Sequence, residues 1–384
     1  VGIGIPENKD YNGGIQEGVS YVQRTTKGRL RVSAAKAFLN PAKKRGNLSV
    51  RTNAHVMRIE LEGKHASAVR YAVGGRHGIE QVVNVRREII LSAGTINSPH
   101  ILQLSGIGPK DLLDDLGIEV KHHLPGVGEN LRDHYAPRFT ARAKNVRTIN
   151  ELSRGPRLWA EIGKYLLGKQ SIVGLGPTLV YAFWHSNEAV RNHDLQLTFA
   201  PASYKEGVQS QLDDEPGFTV ASWQQRPESL GWVKARSADP FDKPRIQPNY
   251  LSNEEDKRVL LAGMRLCRRI MTAPELSPYL DFEQYPGEHI QTDDELLQVA
   301  RERGTTTYHL MGACRMGPDS DPTAVVDSDL RVKGIKGLRV ADASIMPTML
   351  SSNLNAGALM IGEKASDLVL GKKPLEPIID AIQN

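Results

Sequence analysis

Between residues 47 and 94 the sequence alternates apolar and polar side chains, and at Gly94 this period of two gives way to a helical one. A strand that runs through a turn of small residues into a helix belongs to a layered α/β arrangement, so this break constrains the fold strongly. Residues 47–63 (NLSVRTNAHVMRIELEG), 66–75 (ASAVRYAVGG) and 81–94 (QVVNVRREIILSAG) predict a three-stranded meander that returns into a strand at 88–91. The short apolar run of that last strand suits an interior parallel position. After Ser92-Ala93-Gly94 the spacing predicts a helix from about Ser98 to Leu104, with Pro99 near its start and Gly106 just past its end. PKDLLDDLGI predicts another short helix, stopped by Gly117.

Residues 122–134 (HHLPGVGENLRDH) form a Pro/Gly-rich loop that reads as a domain boundary. From about 135 to 305, strands (LQLTFAP, GFTVASWQQ, GWVKARS) mix with helices (LWAEIGKYLLG, EEDKRVLLAGMRLCRRIM). This is the pattern of an antiparallel sheet with helices on one side. From Thr306 the chain becomes dense in Gly, Asp, Asn and Met, with GLRVADASIMP read as strand then turn and NAGALMIGEKASDLVLG as a closing helix. The expected class is α/β plus α+β, with domains at 1–134, 135–305 and 306–384, the last returning to the first.

A chain of 384 residues with 40% hydrophobic content can bury a sizeable core. Its net charge of +5 is small for this length and the basic residues interleave with acidic ones, so no nucleic-acid stripe is present. The clusters Lys43-Lys44-Arg45 and Arg29/Arg31 read as solvated surface. Cys267 and Cys314 form no CxxC pair, which leaves a metal site or disulfide framework without support. No apolar run reaches the ~18 residues of a membrane helix.

Small residues at 92–94 let a backbone approach a ligand, and helix N–H groups face anions, although the same residues make an ordinary strand-to-helix turn. Histidine has an ordinary pKa near working pH and is the usual choice where a reaction needs a general base. His309, ahead of the glycine-containing MGACRMG, has a loop-like setting that suits a cleft. On its own it would serve equally as a buried, hydrogen-bonded histidine.

Residues 94–108 resemble the second signature of the glucose–methanol–choline (GMC) oxidoreductases. Residues 47–63, 226–251, 308–317 (YHLMGACRMG), 337–347 and 351–369 (SSNLNAGALMIGEKASDLV) resemble further blocks of that family in the same order, so the likeness spans nearly the whole chain. It is strongest to the choline-dehydrogenase-like and alcohol-dehydrogenase-like branch. The resemblance implies an FAD-dependent oxidoreductase acting on CH–OH groups. Its substrate would be a primary alcohol, choline-like or aliphatic, oxidised to an aldehyde by hydride transfer to flavin N5. His309 matches the family's catalytic histidine, which implies the base. Asn353 matches a position that holds His or Asn and is implied to hold the substrate oxygen. Implied cofactor contacts are Val56, Ser92, Ala93, Gly94, Ala341, Asp342, Asn353, Leu354 and Asn355: Val56 meets the adenine through its backbone, Gly94 lies against the nucleotide half, Asp342 stands near the pyrophosphate and Asn355 meets the flavin ring. An acid beside a diphosphate is tolerable if Asp342 takes donors from helix N–H groups or bound water. One of Asn353 and Asn355 is also expected to cap the helix that follows.

A dinucleotide site should open with a strand, a GxGxxG turn and a helix. GIGIPENKDYNGG lacks a following amphipathic helix, and GIGPKD and GVGEN follow the wrong elements. The family's first signature is absent as well. The resemblance therefore implies a chain that begins inside a full-length member, with an incomplete FAD-binding Rossmann-like domain beside a substrate domain built on an antiparallel sheet. Strands 88–91 and 338–341 are then expected to show bare edges and apolar faces, and the chain alone to bind FAD poorly and express badly. A hydroxynitrile-lyase-like enzyme that keeps FAD, and an inactive fragment, stay open as alternatives. The expected partners are a small alcohol and an electron acceptor (oxygen, a quinone or a carrier), with no nucleic acid, no metal and no transmembrane segment. The expected location is cytoplasmic, with peripheral contact to the inner membrane as an alternative.

Overall fold

Eight consecutive buried residues, Gly217–Gln224, make the central strand of a six-stranded antiparallel sheet. The order is Gly18–Tyr21, Val180–Trp184, Leu195–Ala200, Gly217–Gln224, Arg138–Ala143, Leu280–Tyr285. The helix Glu254–Met271 packs against this sheet because its apolar residues recur at helical spacing: Val259, Leu260, Met264, Cys267 and Met271 are buried beside Phe139, Leu195, Leu197 and Val220. Asn253 caps its start by accepting the Glu255 N–H, and three acids in the first turn with two arginines in the last complement the helix dipole. At Gly263 an added Cβ would sit 2.7 Å from Ser222 Oγ, so glycine lets the helix lie close on the strand. This sheet and helix form the core of one compact unit, Val1–Ser49 with His134–Ser229 and Tyr250–Tyr308.

The second unit comprises Val50–Asp133, Leu230–Asn249 and the chain from His309 on. The computed structural model describes residues 1–176, 178–205 and 208–376. Here the meander is Ala54–Glu62, His65–Val73 and Ile79–Asn84, with all pairings antiparallel. Ile89–Leu91 pairs in parallel with Leu338–Val340, placing Leu91 opposite Val340. The helix Gly94–Leu104 follows the first of these strands and buries eight of its residues. Its Gln103 donates to Val233 O and accepts the Ala235 N–H. That bond ties it to a three-stranded sheet of Glu129–Leu131, Gly231–Lys234 and Arg245–Gln247. The segment GWVKARS thus pairs within the second unit and not with the six-stranded sheet.

Two expectations need correction. The helix begins at Gly94, four residues before Ser98, for a reason given with the site below. The strand Leu338–Val340 shows no apolar face: its three residues are buried, and its other side is covered where Val332 and Leu330 exchange main-chain bonds with Leu338 and Val340. Exposure falls on Ile90 and on the helix Asn355–Leu370. Among the described residues, no helix is long and apolar enough to cross a membrane, and no group of three or more His, Cys, Asp or Glu side chains could hold a metal ion.

Candidate active site

His309 lies outside helix and strand, and its Nε2 is 2.8 Å from Asn353 Nδ2. An amide nitrogen can only donate, so Nε2 accepts and the ring proton sits on Nδ1. Burial pushes the imidazole down to about 4, which keeps it neutral at pH 7 with its lone pair on Nε2. Chain separation gives no hint of this meeting, because the two residues are 44 apart. The helix Asn355–Leu370 starts without a side-chain cap, with Leu354 at the capping position. The expected asparagine cap is therefore not formed: Asn353 turns to the histidine and Asn355 is the first helical residue, exposed.

The two turns implied in cofactor binding are tied together. Asp342 Oδ2 accepts the Gly94 N–H at 2.9 Å and the Ser98 hydroxyl at 2.6 Å, while Oδ1 accepts the Ser344 N–H at 2.8 Å. Ser98 Oγ in turn accepts the Ala93 N–H at 3.1 Å. The first main-chain N–H of the helix is thus met by a side chain 248 residues away, which suits a start at Gly94. A carboxylate at a helix N-terminus also suits the dipole. Gly94 N–H is thereby taken and is not itself open to a phosphate. Thr95 Oγ1 donates to Leu310 O at 2.9 Å, so the same turn holds the loop that carries His309.

Ser92 and Ala341 follow directly on the paired residues Leu91 and Val340, at the carboxyl ends of the two parallel strands. Ligands of open α/β sheets bind outside such ends. Gly94 has φ +84°, and an added Cβ there would meet nothing within 4 Å, so the turn presents open backbone. Ser92 and Asn355 are exposed, Ala93, Ala341 and Asn353 are half-buried, and Leu354 is buried. Val56 stands on the strand Ala54–Glu62, half-buried and packed on the core. These residues fit the flank of a dinucleotide cofactor, small and open where it would lie. A cavity of about 650 Å³ in the same unit is lined by Lys64, Glu88, Asp321, Arg331 and Lys333 among others, and by none of the candidate site residues.

Two sequence models of one family match the chain: the N-terminal GMC oxidoreductase model over residues 2–136 and the C-terminal one over 227–362. An oxygen-dependent choline dehydrogenase from Vibrio vulnificus is 40% identical over 97% of this chain and 66% of its own length. The chain belongs to the GMC oxidoreductase family. Members are FAD-binding flavoproteins. Human mitochondrial choline dehydrogenase is likewise 40% identical, over 97% of this chain and 62% of its own. The chain therefore spans slightly under two thirds of the length of these relatives. Among solved structures, pyridoxine 4-oxidase from Mesorbium loti superposes with a TM-score of 0.83 at 26% identity, covering 97% of this chain and 68% of that one. Formate oxidase from Aspergillus oryzae, studied for modification of its FAD, gives 0.87 at 25%, covering 96% and 68%. The fold class is thus α/β with antiparallel sheets, shared with these GMC enzymes.

Residues that the sequence did not single out complete the site. Ser98 and Thr95 lie in the recognised signature, but their partners lie over 200 residues away. Asp133 is buried, and its Oδ1 accepts the His309 main-chain N–H at 2.9 Å. A charged residue inside a Pro/Gly-rich loop was its one visible signal.

Proposed function

We propose that this chain carries the catalytic residues of an FAD-dependent oxidoreductase that converts a primary alcohol to an aldehyde. The observation that carries the reading is the contact between His309 Nε2 and the Asn353 amide, with the imidazole held neutral by burial. FAD, when bound, supplies the hydride acceptor. Ser92, Ala93, Gly94, Ala341 and Asp342 would hold its nucleotide side, Val56 would offer backbone to the adenine, and Asn353, Leu354 and Asn355 would meet the ring. His309 Nε2 takes the hydroxyl proton as the substrate carbon gives up its hydride. Before substrate arrives, Nε2 is occupied by the Asn353 N–H. When the substrate hydroxyl takes that place, the same N–H turns to the substrate oxygen and steadies the charge that develops there. Relatives named as choline dehydrogenases and a neighbour named as a pyridoxine 4-oxidase support a primary alcohol as substrate.

The test is His309→Asn in FAD-loaded enzyme. Removing a general base should lower kcat/KM by about 10²–10⁴-fold. A variant that keeps wild-type turnover sinks the assignment. Anaerobic addition of alcohol to the wild type should bleach the flavin, and failure to bleach with any primary alcohol would turn the reading toward non-redox chemistry.

A further inference from the structure

We propose that Asp133 is a positioning residue for His309, its buried carboxylate taking the His309 main-chain N–H and so fixing where the imidazole leaves the loop. The inference rests on His309 being the base.

Asp133 is 4% exposed, and its Oδ1 lies 2.9 Å from His309 N. A carboxyl group removed from water must be repaid by hydrogen bonds. The loop it meets is held in an uncommon conformation. Tyr308 has φ +63°, left-handed for an aromatic residue, immediately before the histidine. Such a conformation persists where the surroundings over-determine it, and it clusters at working sites.

The surroundings here are two strips of chain. Arg132 and Met311 exchange both main-chain bonds at 3.0 Å each, and Gly128 donates to Ala313 O at 2.8 Å. Residues 128–133 thus run beside 309–313 as an irregular antiparallel pair. At His309 the partner is the Asp133 side chain, which reaches a donor that the left-handed turn has carried out of main-chain register. From the opposite side Thr95 holds Leu310 O. With the backbone fixed before and after it, the imidazole is delivered to Asn353. Truncating Asp133 unfastens the N-terminal side of that grip while leaving the residues that face substrate unchanged.

The experiment compares Asp133→Ala, Asp133→Asn and His309→Asn in FAD-loaded enzyme, and follows the His309 ring by NMR titration of the same proteins. A base displaced by about 1 Å costs on the order of 100-fold, so kcat of Asp133→Ala should fall by about that factor with KM little changed. Asp133→Asn keeps an oxygen acceptor at the same place and should retain most of kcat. In Asp133→Ala the ring should titrate nearer the ordinary histidine range, and in Asp133→Asn it should stay low. Wild-type kcat in folded Asp133→Ala, or damage in Asp133→Asn equal to that in Asp133→Ala, overturns the proposal. Should Asp133→Ala fail to fold, Asp133→Glu carries the test: its acceptor is displaced by one methylene, so kcat should fall, and wild-type kcat there also overturns it. Turnover retained in His309→Asn sinks the base assignment itself. An inactive His309→Asn beside an unaffected Asp133→Ala sinks the positioning role alone.

Discussion

If His309 is the base, as proposed, it can act only while no proton sits on Nε2 at working pH. Burial favours the neutral ring and sets its folded value at about 4, below the ordinary 6.5. Acid therefore acts twice. In turnover, kcat/KM of the free enzyme should stay level as pH falls from 7 toward 5 and drop as it passes through about 4. In stability, the unfolded chain binds a proton below about 6.5 while the folded chain does not. The histidine's own contribution to stability should thus decline from that pH down to about 4 and level off beneath it, a difference read by comparing wild type with a His309 variant. Asn353 gives a sharper check. Asn353→Asp would set a carboxylate against Nε2, favour the imidazolium, and move the acid limb of the pH–rate profile upward. A limb that stays in place in this variant would show that the side chain at 353 does not govern the histidine.

At the scale of elements, the sequence was legible wherever a pattern was local. The helix Glu254–Met271 shows its apolar stripe, its acidic first turn and its basic last turn in one window, and the helix forms there. The meander follows from alternation, and its three strands form. The helix after the small-residue turn was legible at its end, where Gly106 stops it, but not at its start. Its first N–H is met by Asp342, which no local window contains. The site divides the same way. Motif blocks brought out His309, Asn353 and Asp342, but what binds them is long-range: Asp133 to His309 across 176 residues and Thr95 to Leu310 across 215. The Asp342 knot can be tested directly. Asp342→Ala leaves Gly94 N–H and the Ser98 hydroxyl without their acceptor, a loss worth about 1–3 kcal/mol. Hydrogen exchange should quicken at residues 93–98 while the helix end near Leu104 stays protected. Uniform protection along the helix in that variant would show that the carboxylate does not hold its start.

At the scale of the whole molecule, the helix Asn355–Leu370 conflicts with its surroundings. Its first two turns are apolar nearly all round, and such a helix is normally buried. Here only Ile361 and Ala365 of its sixteen residues are buried, while Met360 is 60% and Leu370 64% exposed. Ile90, on the strand beside Leu338–Val340, is also exposed. Apolar exposure on this scale marks an interaction surface or an aggregation liability. As a polypeptide of these 384 residues, the protein should bind a hydrophobic dye strongly and associate as its concentration rises. The pair Met360→Lys and Leu370→Lys should weaken both effects. Because neither side chain is in the core, the pair should change unfolding free energy by no more than about 0.5 kcal/mol per site. A clear fall in Tm with these substitutions would mean that the two side chains are packed in solution. Unchanged dye binding would mean that the apolar surface lies elsewhere. If dye binding falls when the pair is introduced and Tm holds, this helix carries the apolar surface that the dye reports.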